Sequence, residues 1–453
     1  MNSASPSSQL RQHALSIWQA AVDAVRPRDL IPKVLNDPGN PIRKTASRAR
    51  RILVVGAGKA GASLSAALED TLPDCLPRMQ GVVNVPAELV RPLQSIRLHA
   101  ARPAGTNQPT TEGVEGARQI LNLFASAGPE DIGICLLSGG GSALLPAPVE
   151  GVSLEDKQIV TRLLHECGAT INEMNAVRKH LSRIKGGRLA QAFKGRALYS
   201  LIISDVIGDP LDVIASGPTA PDPTTFNDAF SVLDKYQLIP QVPTTILDHL
   251  KKGADGEVEE TPKNLGSNIH NLVIANNARA LDAAKAKAKK LGYSIFDYFS
   301  SIGGETQRVA KLQAHYVFEA KGGTAFAYRP TCFLSGGETT VTLGKDHGLG
   351  GRNQEFVLSA IKKLGRKGMT NVVVLSGGTD GEDGPTDAAG AIADVETLAK
   401  ADQLGLSLAD FLRRHDAYHF FQATGDLLKT GLTETNVMDV RVILIAASSK
   451  PNE

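Results

Sequence analysis

RILVVGAGKAG, residues 51–61, is a short β-branched run that stops on a glycine-rich turn, and the same grammar returns three more times along the chain. IGICLL (132–137) runs into SGGGSA, CFL (332–334) into SGGETT, and NVVVL (371–375) into SGGTDGEDG. Three of these runs end in Leu-Ser-Gly-Gly, at Ser138, Ser335 and Ser376. A strand, a glycine turn and then a helical segment is the pattern of parallel α/β architecture. Ligands of such sheets bind beyond the carboxyl ends of the strands. Glycines there let backbone N–H groups approach an anion, and a helix N-terminus adds a favourable dipole. The plainer alternative, glycine as a maker of tight turns, accounts for any one cluster but poorly for four.

The rest of the composition agrees. The chain has 453 residues, enough for two or three domains, with 42% apolar and 21% charged residues, the balance of a globular protein with a large core. Lys plus Arg number 49 against 47 Asp plus Glu, a net charge of +2. No general surplus therefore points to nucleic acid or an anionic membrane. The longest apolar stretches, VVVL (372–375) and VILIAA (442–447), are too short to span a bilayer. The first residues lack the pattern of a secretory leader. Leu10, Ala14, Ile17, Trp18, Ala21, Val22 and Val25 instead trace the apolar face of a helix. Cys75, Cys135, Cys167 and Cys332 lie in no CxxC or zinc-type spacing. These observations set aside a secreted disulfide scaffold, a zinc module and a membrane protein, and leave a cytoplasmic α/β protein as the expectation.

Further strands are predicted at GVVNV (81–85), SIRLH (95–99) and LYSLIIS (198–204), with helices over about 111–126, 153–168 and 176–193. The polar, glycine-bearing segment 250–268 reads as a linker. After it LVIAN (272–276), a helix over 278–291, SIFDYF (294–299), a helix near 304–320 and the strand VRVILIAA (440–447) form a second series. Two α/β domains are thus expected, 1–265 and 266–453, facing each other across a cleft lined by the glycine loops, a preferred place for small-molecule sites.

Gly56, Gly58 and Gly61 match GxGxxG, but the second predicted strand ends at Val85, where the nearest acid is Glu88, a poor fit to the ribose-binding carboxylate of a dinucleotide site. Lys59 within the loop suits an anion instead. No GxxxxGK[ST] motif occurs. Arg352 and Asn353 open the helix NQEFVLSAIKKL, and a guanidinium at a helix N-terminus is unfavourable unless an anion is bound. Glu338 follows a strand-end glycine pair. Asp380, Glu382, Asp383 and Asp387 fall within eight residues of a glycine-rich loop, a composition that suits Mg²⁺ and its phosphate partners. A solvated acidic turn is the alternative. Asp205, Asp209 and Asp212 follow another strand, with Asp205 best placed for proton transfer or a metal. The basic run 175–190 carries Arg178, Lys179, Arg183, Lys185 and Arg188, either a solvated face or a surface for a phosphorylated ligand. A lysine loop, an arginine at a helix start, an acidic loop and a candidate base together fit phosphoryl transfer, where catalysis is mostly positioning and charge stabilisation.

The strings VVGAGKAG, LLSGGGSALLPAP, NAVRKHLSRIKGGRLA, SDVIGDPLDVIASGPT, LSGGETTVTL, GGRNQE, LSGGTDGEDGPTDAAGA and TGLTETNVMDV resemble the class II glycerate 2-kinases, in one order from about residue 10 to 447. That resemblance implies a Rossmann-like N-terminal domain with a parallel sheet, a smaller MOFRL-type C-terminal α/β domain, and an active site in the cleft. It implies transfer of phosphate from ATP to D-glycerate, giving 2-phosphoglycerate, with Mg²⁺ or another divalent cation. Small molecules would be the partners of a cytoplasmic monomer or homodimer. By motif, Lys59 and Arg352 would be essential to transfer and Asp205 a candidate base. Gly58 and Ser138, Gly139, Gly140, Gly141 and Ser142 would cradle ligand, with Arg178, Glu338, Asn353, Thr435 and Asn436 also in binding roles. Asp380 and Asp383 would organise the metal. The turn ARPAGTNQPTTEG (101–113) departs from the His-Pro…Pro-Asp pattern of many members, which touches substrate recognition more than the reaction. Two other readings stay open: an NAD(P)H-dependent hydroxypyruvate reductase built on the first glycine loop, and a non-catalytic nucleotide- or sugar-phosphate-binding protein.

Overall fold

The computed structural model describes residues 6–103, 108–297, 299–322, 329–344 and 346–447; positions 104–107 of the departing 101–113 turn lie outside them. The chain divides into two compact units, Pro27–Ile274 and a second made of Met1–Arg26 with Ala275–Glu453.

The first unit carries β1 (Ile52–Ala57), β2 (Met79–Pro86), β3 (Ile96–Arg102), β4 (Ile132–Leu137), β5 (Ala197–Ile203) and β6 (Ile269–Ala275). They form one sheet in the order β3-β2-β1-β4-β5-β6, the order of a doubly wound nucleotide-binding fold. The pairs β1–β2, β1–β4, β2–β3 and β4–β5 are all parallel. Every residue of β1, β4 and β5 is buried, as expected of central strands covered on both faces. Leu53, Val55, Phe124, Leu137 and Leu198 belong to the core on this sheet. A separate apolar cluster, including Val160, Leu164, Val177, Leu233 and Leu250, holds together the helices Leu154–Glu166, Ile171–His180, Phe226–Lys235 and Thr244–Ala254.

The second unit has β7 (Ser294–Asp297), β8 (Thr331–Gly337), β9 (Val372–Gly378), β10 (Gly390–Ala393), β11 (Leu427–Leu428) and β12 (Asp439–Ile445), in the order β11-β10-β9-β12-β8-β7. This sheet is mixed. β7 and β8 are parallel, while β12 runs antiparallel between β8 and β9. The first residue of β12, Asp439, therefore sits opposite Gly337 at the end of β8 and Gly378 at the end of β9. Phe333, Phe356, Val374, Phe420 and Ile443 form part of its core.

Three expectations are corrected. The strand around 272–276 is the edge of the first sheet, not the start of the second series, so the division falls after Ile274 rather than after 265. The N-terminal helix Pro6–Asp23 belongs to the second unit, because Trp18 Nε1 donates to the Gly377 carbonyl (3.2 Å) and Arg11 pairs with Asp394 and Asp426 (3.1 and 2.5 Å). The helix predicted over 176–193 is two pieces, Ile171–His180 and Arg188–Ala192. Gly186 and Gly187, at φ +57° and +82°, lie in the left-handed region between them and break the helical path. Among the described residues no helix is long and apolar enough to cross a membrane.

Candidate active site

In the first unit the loops after β1 and β4 are stitched together. The Lys59 N–H donates to the Gly139 carbonyl (2.8 Å), and Ser138 Oγ accepts the Ala60 N–H (3.0 Å). Gly58 has φ +141°, and a Cβ there would collide with Ser138 Oγ, so only glycine lets the two loops meet. The Lys59 side chain is half-buried and passes over Gly140, where an added Cβ would lie 3.6 Å from Lys59 Cγ. The loop leads into the helix Gly61–Thr71, whose N-terminus favours an anion. Gly141 begins the next turn beside Ala57 and Ala215. Asp205, half-buried, lies two residues past the end of β5, the neighbour of the strand that carries Ser138.

Ser142 is the hub of the adjoining layer. Its Oγ accepts from Arg178 Nη2 and Lys185 Nζ (both 2.6 Å), and Lys185 Nζ also donates to the Ser142 carbonyl (2.7 Å). Ser216 Oγ, 3.0 Å from Ser142 Oγ, donates to Asn175 Oδ1 (3.1 Å). A hydroxyl has one proton, so the hydrogen of Ser142 must point to Ser216. Ala215, Ser216 and Gly217 all have positive φ (52°, 61°, 62°), a concentration of strain of the kind that collects at functional sites. The basic run is not a solvated face: Lys179 is buried between Asp212 (3.0 Å) and Asp222 (3.2 Å), and Lys185 is buried as well. Ser216 and Asn175 gained no site role from sequence reasoning, and Lys185 only a share in the basic run, because only the fold brings 142, 175, 185 and 216 to one point.

In the second unit the ends of β8, β9 and the start of β12 bring a charged cluster together. Arg352 opens the helix Arg352–Met369 and binds Asp439 by Nε–Oδ2 (2.8 Å) and Nη2–Oδ1 (3.0 Å), and Glu338 by Nη1–Oε1 (2.7 Å). Arg441, fully buried, donates to Asp439 Oδ2 (3.1 Å) and Thr339 Oγ1 (3.3 Å). Burial by itself would lower the Arg352 pKa, but Asp439 and Glu338 outweigh it and hold the guanidinium above its ordinary value. Arg441, more deeply buried and close to Arg352, is shifted down.

This geometry revises several sequence expectations. The negative charge that Arg352 demands at its helix start comes from Asp439 and Glu338, so a bound anion is not required to explain it. Asp383 is buried; its carboxylate accepts the Asn353 N–H (2.9 Å) and the Gln354 N–H (2.8 Å) and caps the same helix, which is not the setting of a metal ligand. Asn353 is spent internally on Asp383 and Asp439 (3.3 and 2.9 Å) and on Ser376 (2.5 Å). Thr435 is buried and donates to the Val25 carbonyl (2.7 Å), and Asn436 accepts the Met438 N–H in a tight turn (3.1 Å). Among the described residues no group of three or more His, Cys, Asp or Glu is placed to hold a metal ion. Glu338 and Asp380, just past β8 and β9 on either side of Asp439, fit the sparse protein ligation of Mg²⁺, which takes one or two carboxylates and completes its shell with phosphate and water. Sequence reasoning missed Asp439 as a hub, although an acid and an arginine two apart in an otherwise apolar strand share a face and demand one another.

Comparison with known proteins accounts for both units. Residues 13–251 match the family described as Domain of unknown function (DUF4147), and residues 331–439 match the MOFRL family. The chain is 39% identical to the glycerate 2-kinase of Pyrococcus horikoshii over 88% of each chain. It is 41% identical, over 87% of its own length and 99% of the relative's, to an Agrobacterium vitis protein provisionally named a hydroxypyruvate reductase. The crystal structure of glycerate kinase from Thermotoga maritima superposes with a TM-score of 0.84 at 35% identity, covering 97% of this chain and all of that one.

Proposed function

The chain belongs to the glycerate 2-kinase family, and from that premise we infer that it moves the terminal phosphoryl group of ATP to the 2-hydroxyl of D-glycerate. The observation that carries this reading is the stitched pair of loops holding Lys59, with Asp205 beyond the neighbouring strand. Phosphoryl transfer needs little covalent help from the protein; it needs positive charge around the moving group and a base at the acceptor. Lys59 supplies charge to the phosphoryl oxygens, and the backbone N–H groups of the loop at the helix start support them. Asp205 takes the proton of the glycerate hydroxyl as its oxygen attacks phosphorus. By its family motif, Arg352, which Asp439 and Glu338 hold within the second unit, is the further positive group this reading assigns to transfer. Asp380 and Glu338 would hold Mg²⁺, which when bound draws charge from the phosphate oxygens.

The reductase reading is less well supported. The order of the first sheet is that of a dinucleotide fold, but Asn84 near the end of β2 is buried and bonded to Gly113 and Leu144, and no acid takes the ribose position. Four free cysteines, three of them buried, agree with a reducing, cytoplasmic setting. Incubation with D-glycerate, ATP and Mg²⁺ followed by ³¹P NMR tests the proposal. A 2-phosphoglycerate resonance is the expected result, the 3-phospho isomer would overturn the regiochemistry, and no product together with NADH-dependent hydroxypyruvate reduction would replace the kinase reading.

A further inference from the structure

The helix Ile171–His180 and the turn after it hold three cations near one another, Lys179 and Lys185 buried and Arg178 half-buried, and they are treated differently. Lys179 has two aspartates. Arg178 and Lys185 have a serine: both donate to Ser142 Oγ, whose own proton goes on to Ser216 and from there to Asn175. That chain of hydroxyls accepts hydrogen bonds but carries no negative charge. Lys157, from the helix Leu154–Glu166, is also buried, and its Nζ donates to the Leu181 carbonyl (2.8 Å), another neutral group. Among the described residues none of Lys157, Arg178 and Lys185 has a carboxylate partner.

Burying a cation without a counter-charge is unfavourable, and neighbouring cations repel. Burial, with Arg178 nearby, pushes the Lys157 ammonium down to about 7; Lys185 is pushed well below its ordinary value by burial and by Arg178 and Lys157. The fold does have the means to neutralise a buried lysine, as Lys179, next to Arg178 in the chain, demonstrates.

All three groups and Ser142 line a single cavity of about 600 Å³. Its lining is partly apolar, with Pro146 and Ile159. The helix Leu154–Glu166 also contributes Glu155, Arg162, His165 and Glu166, but Glu166 is turned to Arg162 (3.7 Å). A space of this size lies within the range of about 300–1,000 Å³ that encloses drug-sized ligands, and a three-carbon acid with one charge would match neither the volume nor the three cations. We propose that this cavity is the nucleotide seat: Lys157, Arg178 and Lys185 take the polyphosphate, Ser142 joins them to the glycine loop, and the apolar wall takes the base. This inference rests on the kinase reading and names where its phosphoryl donor binds.

The test uses the whole protein and Lys157→Met, with Lys157→Arg as the charge-restoring control and circular dichroism to verify folding. Losing one charge-assisted contact to phosphate is expected to raise KM for ATP by about tenfold or more, with KM for D-glycerate within about twofold. Lys157→Arg is expected to recover most of the loss. ADP titrated calorimetrically at about pH 7.5 in two buffers of different ionisation enthalpy is expected to show proton uptake in the parent, because the phosphates return a proton to the lysines, and less uptake in Lys157→Met. A rise in KM for D-glycerate with KM for ATP unchanged would overturn the proposal and give the cavity to the acid. Unchanged values for both substrates with undiminished proton uptake would remove the cavity from the site altogether. Either result leaves parent turnover of glycerate standing, so failure of this proposal and failure of the kinase reading are separable.

Discussion

Arg352 grips Asp439 with two parallel hydrogen bonds, Nε to Oδ2 at 2.8 Å and Nη2 to Oδ1 at 3.0 Å, across 87 residues of sequence. Two-pronged contact fixes the plane of the guanidinium as well as its position. Asp439 is fully buried and also holds Arg441, so one carboxylate balances two arginines.

Replacing Asp439 by Asn leaves both arginines without that charge. Removing one partner of a buried pair costs about 3–5 kcal/mol. The urea midpoint of Asp439→Asn is expected to fall accordingly, with activity lost as Arg352 turns away. A midpoint within error of the parent would mean that Glu338 alone positions Arg352.

Lys59→Ala is expected to lower kcat by about 10²–10³-fold, the usual effect of losing one fixed group that stabilises transition-state charge. The fold should survive, since the hydrogen bond from the Lys59 N–H to the Gly139 carbonyl that joins the two loops belongs to the backbone, which alanine keeps. Asp205→Asn is expected to lower kcat by about 10²–10⁴-fold, the usual contribution of one positioned base. Steady-state rates near those of the parent would take either residue out of the mechanism.

Gly58→Ala asks whether the close approach of the two loops matters. The added Cβ meets Ser138 Oγ at a backbone angle that side chains avoid. A cost of about 3 kcal/mol follows from strain and overpacking. Thermal unfolding and ADP titration should both register it, whereas unaltered nucleotide affinity would show that the loop tolerates opening.

Asp383 makes stability depend on pH. Burial pushes its carboxyl up to about 7, against the pull of the two helix N–H groups it accepts. The folded state then holds a proton that the unfolded chain has released, so this group favours folding most below its ordinary carboxylate pKa. That contribution fades as the pH rises toward about 7. Between about pH 5 and about pH 7.5 the parent Tm is expected to fall more steeply than that of Asp383→Asn. Parallel slopes would show that the carboxyl is ionised throughout.

Much of the architecture was legible because it is written locally. IGICLL is β4 residue for residue, since a strand buried on both faces leaves a continuous apolar run. Short β10, with sequence GAIA, and two-residue β11 left no such trace and owe their pairing to partners elsewhere in the chain. Lys59 and Asp205 could be picked out as candidates because each follows a strand, and strand ends are where these sheets bind. Asp383 was misread because a carboxylate in a glycine loop suits a metal and a helix cap equally well; the helix it caps begins some thirty positions earlier, at Arg352.

By itself, then, the sequence determined two α/β units, the family and the chemical cast of charged residues at strand ends, because periodicity, glycine turns and motif order are properties of neighbouring residues. Only the tertiary structure decided which of those charges are already paired. Lys179 is neutralised by Asp212 and Asp222 while Arg178, beside it in the chain, meets only a hydroxyl. Coulomb and hydrogen-bond energies are settled over a few ångströms, and the partners that stand at those distances come from distant segments that only packing brings together.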